Sequence, residues 1–92
     1  YLDAAQRALA PRLYAALQAV GEGVAEGRRD FEALCAEQRA ALQAAGFRPQ
    51  YLEGRAPDLG APRADAAAFV VLAAASLGTP RLIDNLQLRP ER

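Results

Sequence analysis

The residues best placed to do chemistry lie near the end of the chain, where Arg81, Asp84 and Asn85 share one short segment. Successive strand residues point to opposite faces of a sheet, so Asp84 and Asn85 cannot both face solvent if one face is buried. One of them is therefore expected to hydrogen-bond inward, to Arg81, a loop backbone or a neighbouring domain. A structural role is favoured, and contact with a substrate-facing interface stays open.

The rest of the chain offers few reactive groups. It has no His and no Lys, so it supplies neither an imidazole base nor an amine nucleophile. Ser76 and Thr79 are the hydroxyls outside tyrosine, and neither has a histidine partner that could activate it. The single cysteine, Cys35, cannot form a zinc cluster and is expected to be a small buried side chain. The sequence therefore predicts no catalytic residue and no metal ligand.

Charge and glycine spacing exclude two further classes of function. Eleven acidic residues balance eleven basic ones, which leaves no basic excess for binding nucleic acid. Gly21 and Gly23 follow a helical pattern, so they do not form a dinucleotide-binding turn and are expected to weaken the end of a helix. The Arg28–Arg29 pair is expected just past that helix, where cations interact favourably with the helix dipole.

Length and composition indicate one small domain that belongs to a larger protein. A chain of 92 residues has a marginal core, which often relies on a neighbouring domain. The chain contains no Met, which predicts that it is a piece of a longer polypeptide. The all-Arg, Ala-rich composition suggests a GC-rich bacterial genome. One Cys, no signal peptide and no apolar run of about 20 residues fit a cytoplasmic protein.

Helical signals fill the first half of the chain. Asp3 and Gln6 have capping-box spacing and Pro11 suits a first turn, so a short helix near 3–9 should precede a main helix. The apolar stripe predicted for these helices comprises Leu9, Leu13, Leu17, Val20 and Val24.

A second main helix is predicted near residues 31–45, after a connection of only a few residues. Gly27 should end the first helix, Asp30 should cap the second, and Gly46 should end it. The short connection favours an antiparallel helical hairpin. The predicted inner face of the second helix comprises Phe31, Leu34, Cys35, Ala41, Leu42 and Ala45.

Strand signals follow Gly46, and one of them is ambiguous. Residues 50–55 are predicted as a strand, with Pro49 near its start or on an edge, and residues 56–63 as a loop. In residues 65–77, the alanines favour a helix, whereas the run FVVL favours a strand buried on both faces. Periodicity alone leaves both interpretations open. A turn at 78–80 should lead into a last strand at 81–88.

Several short strings resemble, in order, the carboxyl-terminal part of the pantothenate synthetase (pantoate–β-alanine ligase) family. The string YLD at Tyr1 resembles the start of that domain, LYAAL at Leu13 a helix segment, and YLE at Tyr51 a strand. The string LGTPRLIDN, from Leu77, resembles the family's LGTTRLIDN, with Pro80 in place of the usual second threonine. Together these strings span nearly the whole chain.

This resemblance implies an α+β fold in which an antiparallel helix pair packs on a small three-stranded antiparallel sheet, with residues 65–77 as a strand. Residues 1–92 would form the carboxyl-terminal lid domain of a two-domain enzyme. Its amino-terminal Rossmann-like domain would use ATP and Mg²⁺ to convert pantoate to a pantoyl adenylate, which β-alanine then attacks. None of the family's catalytic residues falls on this chain, so the chain alone should be inactive and bind no cofactor.

The resemblance also implies candidate contacts and partners. The candidate lid or interdomain contacts would be Tyr1, Arg81, Asp84 and Asn85. The partner would be the amino-terminal domain of the parent enzyme, which would be a homodimer. The resemblance implies no binding to nucleic acid or to a membrane. The family's usual acidic segment is absent from the loop at 54–65.

The alternative is a non-enzymatic helical protein-interaction module in which residues 65–77 form a third helix. A stand-alone homologue with a regulatory role also stays open.

Overall fold

A computed structural model describes residues 2–62 and 68–89 of the chain. Helices occupy its first half and strands its second. In chain order they are α1 (Ala4–Leu9), α2 (Pro11–Ala25), α3 (Phe31–Ala44), β1 (Arg48–Arg55), β2 (Phe69–Ser76) and β3 (Arg81–Leu88). The predicted fold class, helices packed on a three-stranded antiparallel sheet, is confirmed.

The start of the helical layer follows the sequence signals. The Gln6 backbone N–H donates to Asp3 Oδ1 at 2.7 Å, and the Asp3 N–H donates to Gln6 Oε1 at 2.9 Å, which completes the predicted capping box. Pro11 stands in the first turn of α2, where its missing N–H costs no hydrogen bond. The predicted break between a short helix and a main helix is thereby confirmed.

The connection between α2 and α3 departs from the prediction at one residue. Gly27 and Gly46 end the two helices with φ values of 104° and 108°, in the left-handed region that favours glycine. Asp30 stands at the start of α3, but its side chain does not cap the helix. Its carboxylate instead accepts two hydrogen bonds from Arg28, at 3.0 and 2.7 Å. The predicted side-chain cap is wrong, because the Asp30 carboxylate makes a bidentate, charge-assisted contact with the Arg28 guanidinium instead of capping α3.

The sheet has β2 in its centre, with β1 and β3 antiparallel on either side. A bulge between Pro49 and Tyr51 interrupts the pairing of β1 with β2, and Arg48 begins β1 two positions before the predicted start. Pro49 lies on this edge strand, where a missing N–H is tolerated.

The ambiguous segment is a strand where the structure describes it. Residues 69–76 pair with β1 and with β3, from Phe69 opposite Leu88 to Ser76 opposite Arg81. The alternative of a third helix at 65–77 is therefore wrong for residues 69–76, because cross-strand hydrogen bonds on both sides outweigh the helix propensity of the alanines. Residues 65–67, the predicted start of this segment, lie outside the described residues.

One hydrophobic core fills the space between the helices and one face of the sheet. α2 packs on β2 and β3, and α3 packs on β1. Leu17, Val20 and Leu52 are completely buried there. Of the predicted inner face of α3, Leu34, Cys35 and Leu42 are buried, whereas Ala41 is exposed. The prediction for Ala41 is wrong because the buried stripe of α3 is narrower than predicted and does not include this residue.

Gly21 and Gly23 serve packing, and α2 continues through both to Ala25. A Cβ atom on Gly23 would stand 2.5 Å from Leu34 Cδ2, and one on Gly21 would stand 2.8 Å from Leu88 Cδ2. The two glycines therefore let α2 approach α3 and β3 closely, which compensates for their low helix propensity.

Candidate functional site

The helices cover one face of the sheet, and the opposite face carries the candidate site. On β2, residues 69, 71, 73 and 75 enter the core with the helices, so residues 70, 72, 74 and 76 point the other way. We name this second surface the open face. Its four cross-strand rows are Arg48–Ser76–Arg81, Tyr51–Ala74–Ile83, Glu53–Leu72–Asn85 and Arg55–Val70–Gln87.

The centre of the open face is apolar and its margins are polar. Tyr51 and Ile83 flank the small side chain of Ala74 in one row, and Leu72 lies in the next. Ile83 is 64% exposed, more than any other large apolar residue in ranges 2–62 and 68–89. Ala74 is completely buried between its neighbours, and Tyr51 and Leu72 are half-buried, so Ile83 is the exposed member of this apolar group.

The predicted site residues do not form one cluster. Arg81 and Asn85 lie exposed on the open face, whereas Asp84 points to the helix side and is half-buried. One of the two residues, Asp84, lies on the helix side, but the hydrogen bond observed for it is local and exposed and is not the predicted inward one. Asp84 Oδ1 accepts a hydrogen bond from the Asn85 N–H at 2.8 Å, and Arg81 is not its partner because the two side chains lie on opposite faces. Tyr1 lies outside the described residues.

One end of the open face carries positive charge. Arg48 and Arg81 flank Ser76, and neither forms an ion pair with another described residue. The Gln50 side-chain amide donates to Ser76 Oγ at 3.0 Å and to the Arg48 carbonyl at 2.8 Å. At the other end, Arg55 pairs with Glu53.

Gln6 has a second role that the sequence reasoning missed. Its side-chain amide donates to the Leu77 carbonyl at 3.0 Å and so ties α1 to the connection between β2 and β3. Gly78 follows in that connection with a φ of 69°, and a Cβ atom there would stand 2.5 Å from Gln6 Nε2. No local pattern predicts this contact, because it joins residues 71 positions apart.

The adjacent arginines between α2 and α3 have structural partners. Arg29 Nη1 donates to the Val24 carbonyl at 2.9 Å, which confirms the predicted interaction with the end of α2. The Arg29 guanidinium also lies 5.4 Å from the centre of the Phe69 ring. Arg28 bonds to Asp30 and Glu37, which raises the pKa of its guanidinium, and the same bond from Arg28 lowers the pKa of the Asp30 carboxyl.

Cys35 is buried, as predicted, and burial raises the pKa of its thiol. The part of the chain that the structure describes contains no group of three His, Cys, Asp or Glu residues placed to hold a metal ion. None of its helices is long and apolar enough to cross a membrane. Of the predicted site residues, Arg81 and Asn85 lie instead on the open face.

The fold defines a two-layer α+β domain in which the described helices pack on one face of the sheet. Residues 1–87 match the family model described as pantoate-beta-alanine ligase. The chain is 53% identical over 92 residues to a pantothenate synthetase of Pseudomonas putida (strain GB-1), an alignment that covers 99% of this chain and 32% of that protein. It is 49% identical over 89 residues to the Pseudomonas aeruginosa (strain PAO1) pantothenate synthetase, covering 96% and 31%.

A solved structure gives the same result. The crystal structure of pantothenate synthetase from Thermus thermophilus superposes with a TM-score of 0.83 at 34% identity, covering 98% of this chain and 33% of that one. The chain belongs to the pantoate-beta-alanine ligase family. It spans about a third of the length of the relatives that it matches.

Proposed function

We propose that this chain is the carboxyl-terminal lid domain of a pantothenate synthetase. Its parent enzyme condenses pantoate and β-alanine with ATP, through a pantoyl adenylate and with release of AMP. The observation that carries the proposal is the family match along residues 1–87, together with 53% identity to a relative of which the chain covers only 32%. The TM-score of 0.83 with a pantothenate synthetase structure supports it.

The contribution of a lid is physical. An acyl adenylate is hydrolysed by water, so a domain that closes over the site protects the intermediate and completes the binding surface. The domain described here suits that role, because its helices pack on one face of a three-stranded sheet while the other face presents exposed side chains at its margins, such as Arg81 and Asn85. The contacts proposed for closure include Arg81 and Asn85, both exposed on the open face. Tyr1 and Asp84 remain predicted contacts.

ATP and Mg²⁺ belong, in this proposal, to the part of the enzyme that precedes the lid. The described chain offers no cluster of metal-ligating side chains for Mg²⁺, and the whole chain has neither His nor Lys. We therefore assign no step of the reaction to this domain. Its partner is the amino-terminal catalytic domain, within a cytoplasmic enzyme that forms a homodimer.

Two proteins test the proposal, the full-length parent enzyme and the isolated 92-residue chain. Pantothenate formation from pantoate, β-alanine, ATP and Mg²⁺ should require the full-length enzyme. The isolated chain should give no pantoate-dependent exchange of pyrophosphate into ATP. Exchange by the pure chain, or no pantothenate from the full-length enzyme, would contradict the proposal.

A further inference from the structure

The connection between β2 and β3 holds one hydrogen-bond acceptor in a fixed place. The Leu77 N–H donates to the Pro80 carbonyl at 2.9 Å, which closes the turn, and the Leu77 side chain lies in the hydrophobic core. The Leu77 carbonyl accepts a hydrogen bond from the Gln6 side-chain amide at 3.0 Å. A Cβ atom on Gly78 would stand 2.5 Å from Gln6 Nε2. The turn therefore leaves room for the Gln6 amide and gives it an anchored partner.

Helix α1, which carries Gln6, has few other contacts with the domain. None of its residues is buried, although Leu9 at its end packs partly against the core, and among the described elements it packs only on α2. Pro11 begins α2 without an N–H, so the backbone hydrogen bonds are interrupted where the two helices meet. In ranges 2–62 and 68–89, Gln6 makes the only side-chain hydrogen bond between α1 and the strands or their connections. The direction of α1 relative to the sheet therefore depends largely on this bond.

We infer that Gln6 is a positioning residue, which fixes the direction in which the preceding part of the enzyme enters this domain. Given the proposed function, on which this inference rests, the catalytic domain precedes residue 1 and α1 is the first element after it. The Gln6 amide joins α1 to the turn between β2 and β3, so the incoming chain and the sheet keep one relative orientation. That orientation decides where this domain lies when it covers the pantoyl adenylate. Gln6 acts through the Leu77 carbonyl and contacts no reacting atom.

A misplaced domain has a chemical consequence that can be measured. The amine of β-alanine attacks the acyl carbon of the pantoyl adenylate, the nitrogen loses a proton and AMP leaves, which gives one pantothenate for each AMP. Water that reaches the same carbon also displaces AMP, releases a proton and regenerates pantoate, so AMP forms without pantothenate. A correctly placed domain excludes this water and keeps the ratio of AMP to pantothenate at about one. Partial unfolding of the enzyme lowers both products together and leaves the ratio unchanged.

Three substitutions in the full-length enzyme separate the contact with Leu77 from the capping box. Gln6→Glu retains an acceptor for the Asp3 N–H but replaces the donor amide with a carboxylate, so it loses the contact with Leu77 alone. Gln6→Met removes both interactions without adding a charge. Asp3→Ala, the matched control, disrupts the capping box and retains the contact with Leu77. Circular dichroism checks the folding of each variant, and AMP and pantothenate are then measured at saturating substrates.

Positioning predicts that both Gln6 variants raise the ratio of AMP to pantothenate to about two or more. Their kcat for pantothenate should fall by about threefold to tenfold, the effect of one lost hydrogen bond, whereas Asp3→Ala should keep a ratio of about one. A ratio of about one in both Gln6 variants would overturn the inference, whatever their rates. A rise in only one folded Gln6 variant, or an equal rise in Asp3→Ala, would also overturn it, because the lost donor is common to the two Gln6 variants alone. If one Gln6 variant does not fold, the other is compared with Asp3→Ala.

The wild-type enzyme separates this inference from the proposed function. A wild-type enzyme that forms no pantothenate refutes the proposed function. An active wild-type enzyme whose Gln6 variants keep the wild-type ratio refutes the positioning role alone.

Discussion

The two faces of the sheet differ in what their side chains already contact. On the helix side, Leu17, Val20 and Leu52 are completely buried, and Gly23 lets α2 approach within contact of Leu34. On the open face, Ile83 is 64% exposed beside a central strand that is almost entirely apolar. The difference indicates that the helix side provides most of the stability of the domain, whereas Ile83 on the open face adds little to it. Substitutions on the helix side should therefore change the free energy of unfolding, whereas substitutions on the open face should change it little and should affect enzyme activity instead.

The largest effect should come from a cavity on the helix side. Leu17→Ala removes a completely buried side chain from α2 and should lower the free energy of unfolding by about 2–5 kcal/mol. Ile83→Ala, on the open face, should change it by about 1 kcal/mol or less. Urea unfolding of the isolated chain, followed by circular dichroism, measures both. Similar losses for the two variants would mean that the faces contribute equally to stability.

A smaller effect is expected where α1 joins the end of the sheet. Gln6→Ala removes both its part of the capping box and its hydrogen bond to the Leu77 carbonyl. Asp3→Ala is the matched control, because it disrupts the same capping box and leaves the contact with Leu77. Gln6→Ala should be the more destabilising by about 0.5–1.5 kcal/mol, the usual contribution of one hydrogen bond. Equal unfolding free energies would show that the contact with Leu77 adds no stability.

The smallest effect concerns the exposed ion pair between α2 and α3. The pKa of Asp30 is lowered by its hydrogen bond from Arg28, so this carboxylate stabilises the folded chain above its unfolded pKa. The stabilisation is lost as the pH falls from about 4 through the lower pKa of the folded state. Asp30→Asn should therefore reduce the drop in the urea midpoint between about pH 6 and about pH 3. Arg28→Gln should reproduce the change, and an unaltered drop in both variants would contradict this assignment.

Local signals predict the helical layer well, because capping, proline and glycine act over a few residues. The capping box at Asp3, the start at Pro11 and the left-handed stops at Gly27 and Gly46 are all confirmed. The side chain of Asp30 was predicted wrongly because its preferred partner is Arg28, and propensity does not rank such competing partners.

Features that depend on tertiary pairing were beyond local prediction. Periodicity could not separate helix from strand in residues 69–76, which the pairing with two neighbouring strands decides. The alternation along β3 predicted correctly that Asp84 and Asn85 point to opposite faces. The open face itself went unnoticed, because it requires knowing which side of the sheet the helices cover.

The kinetics of two matched variants of the full-length enzyme test the central claim, that the open face is a contact surface of a pantothenate synthetase, most directly. Ile83→Glu places a charge at the centre of the open face, and Tyr14→Glu makes the same change on the outer side of α2. Burying an unpaired charge is costly, so Ile83→Glu should lower kcat/KM for pantothenate formation by about tenfold or more, and Tyr14→Glu by about twofold or less. Equal kcat/KM values for the two variants, with both enzymes folded, would contradict the account.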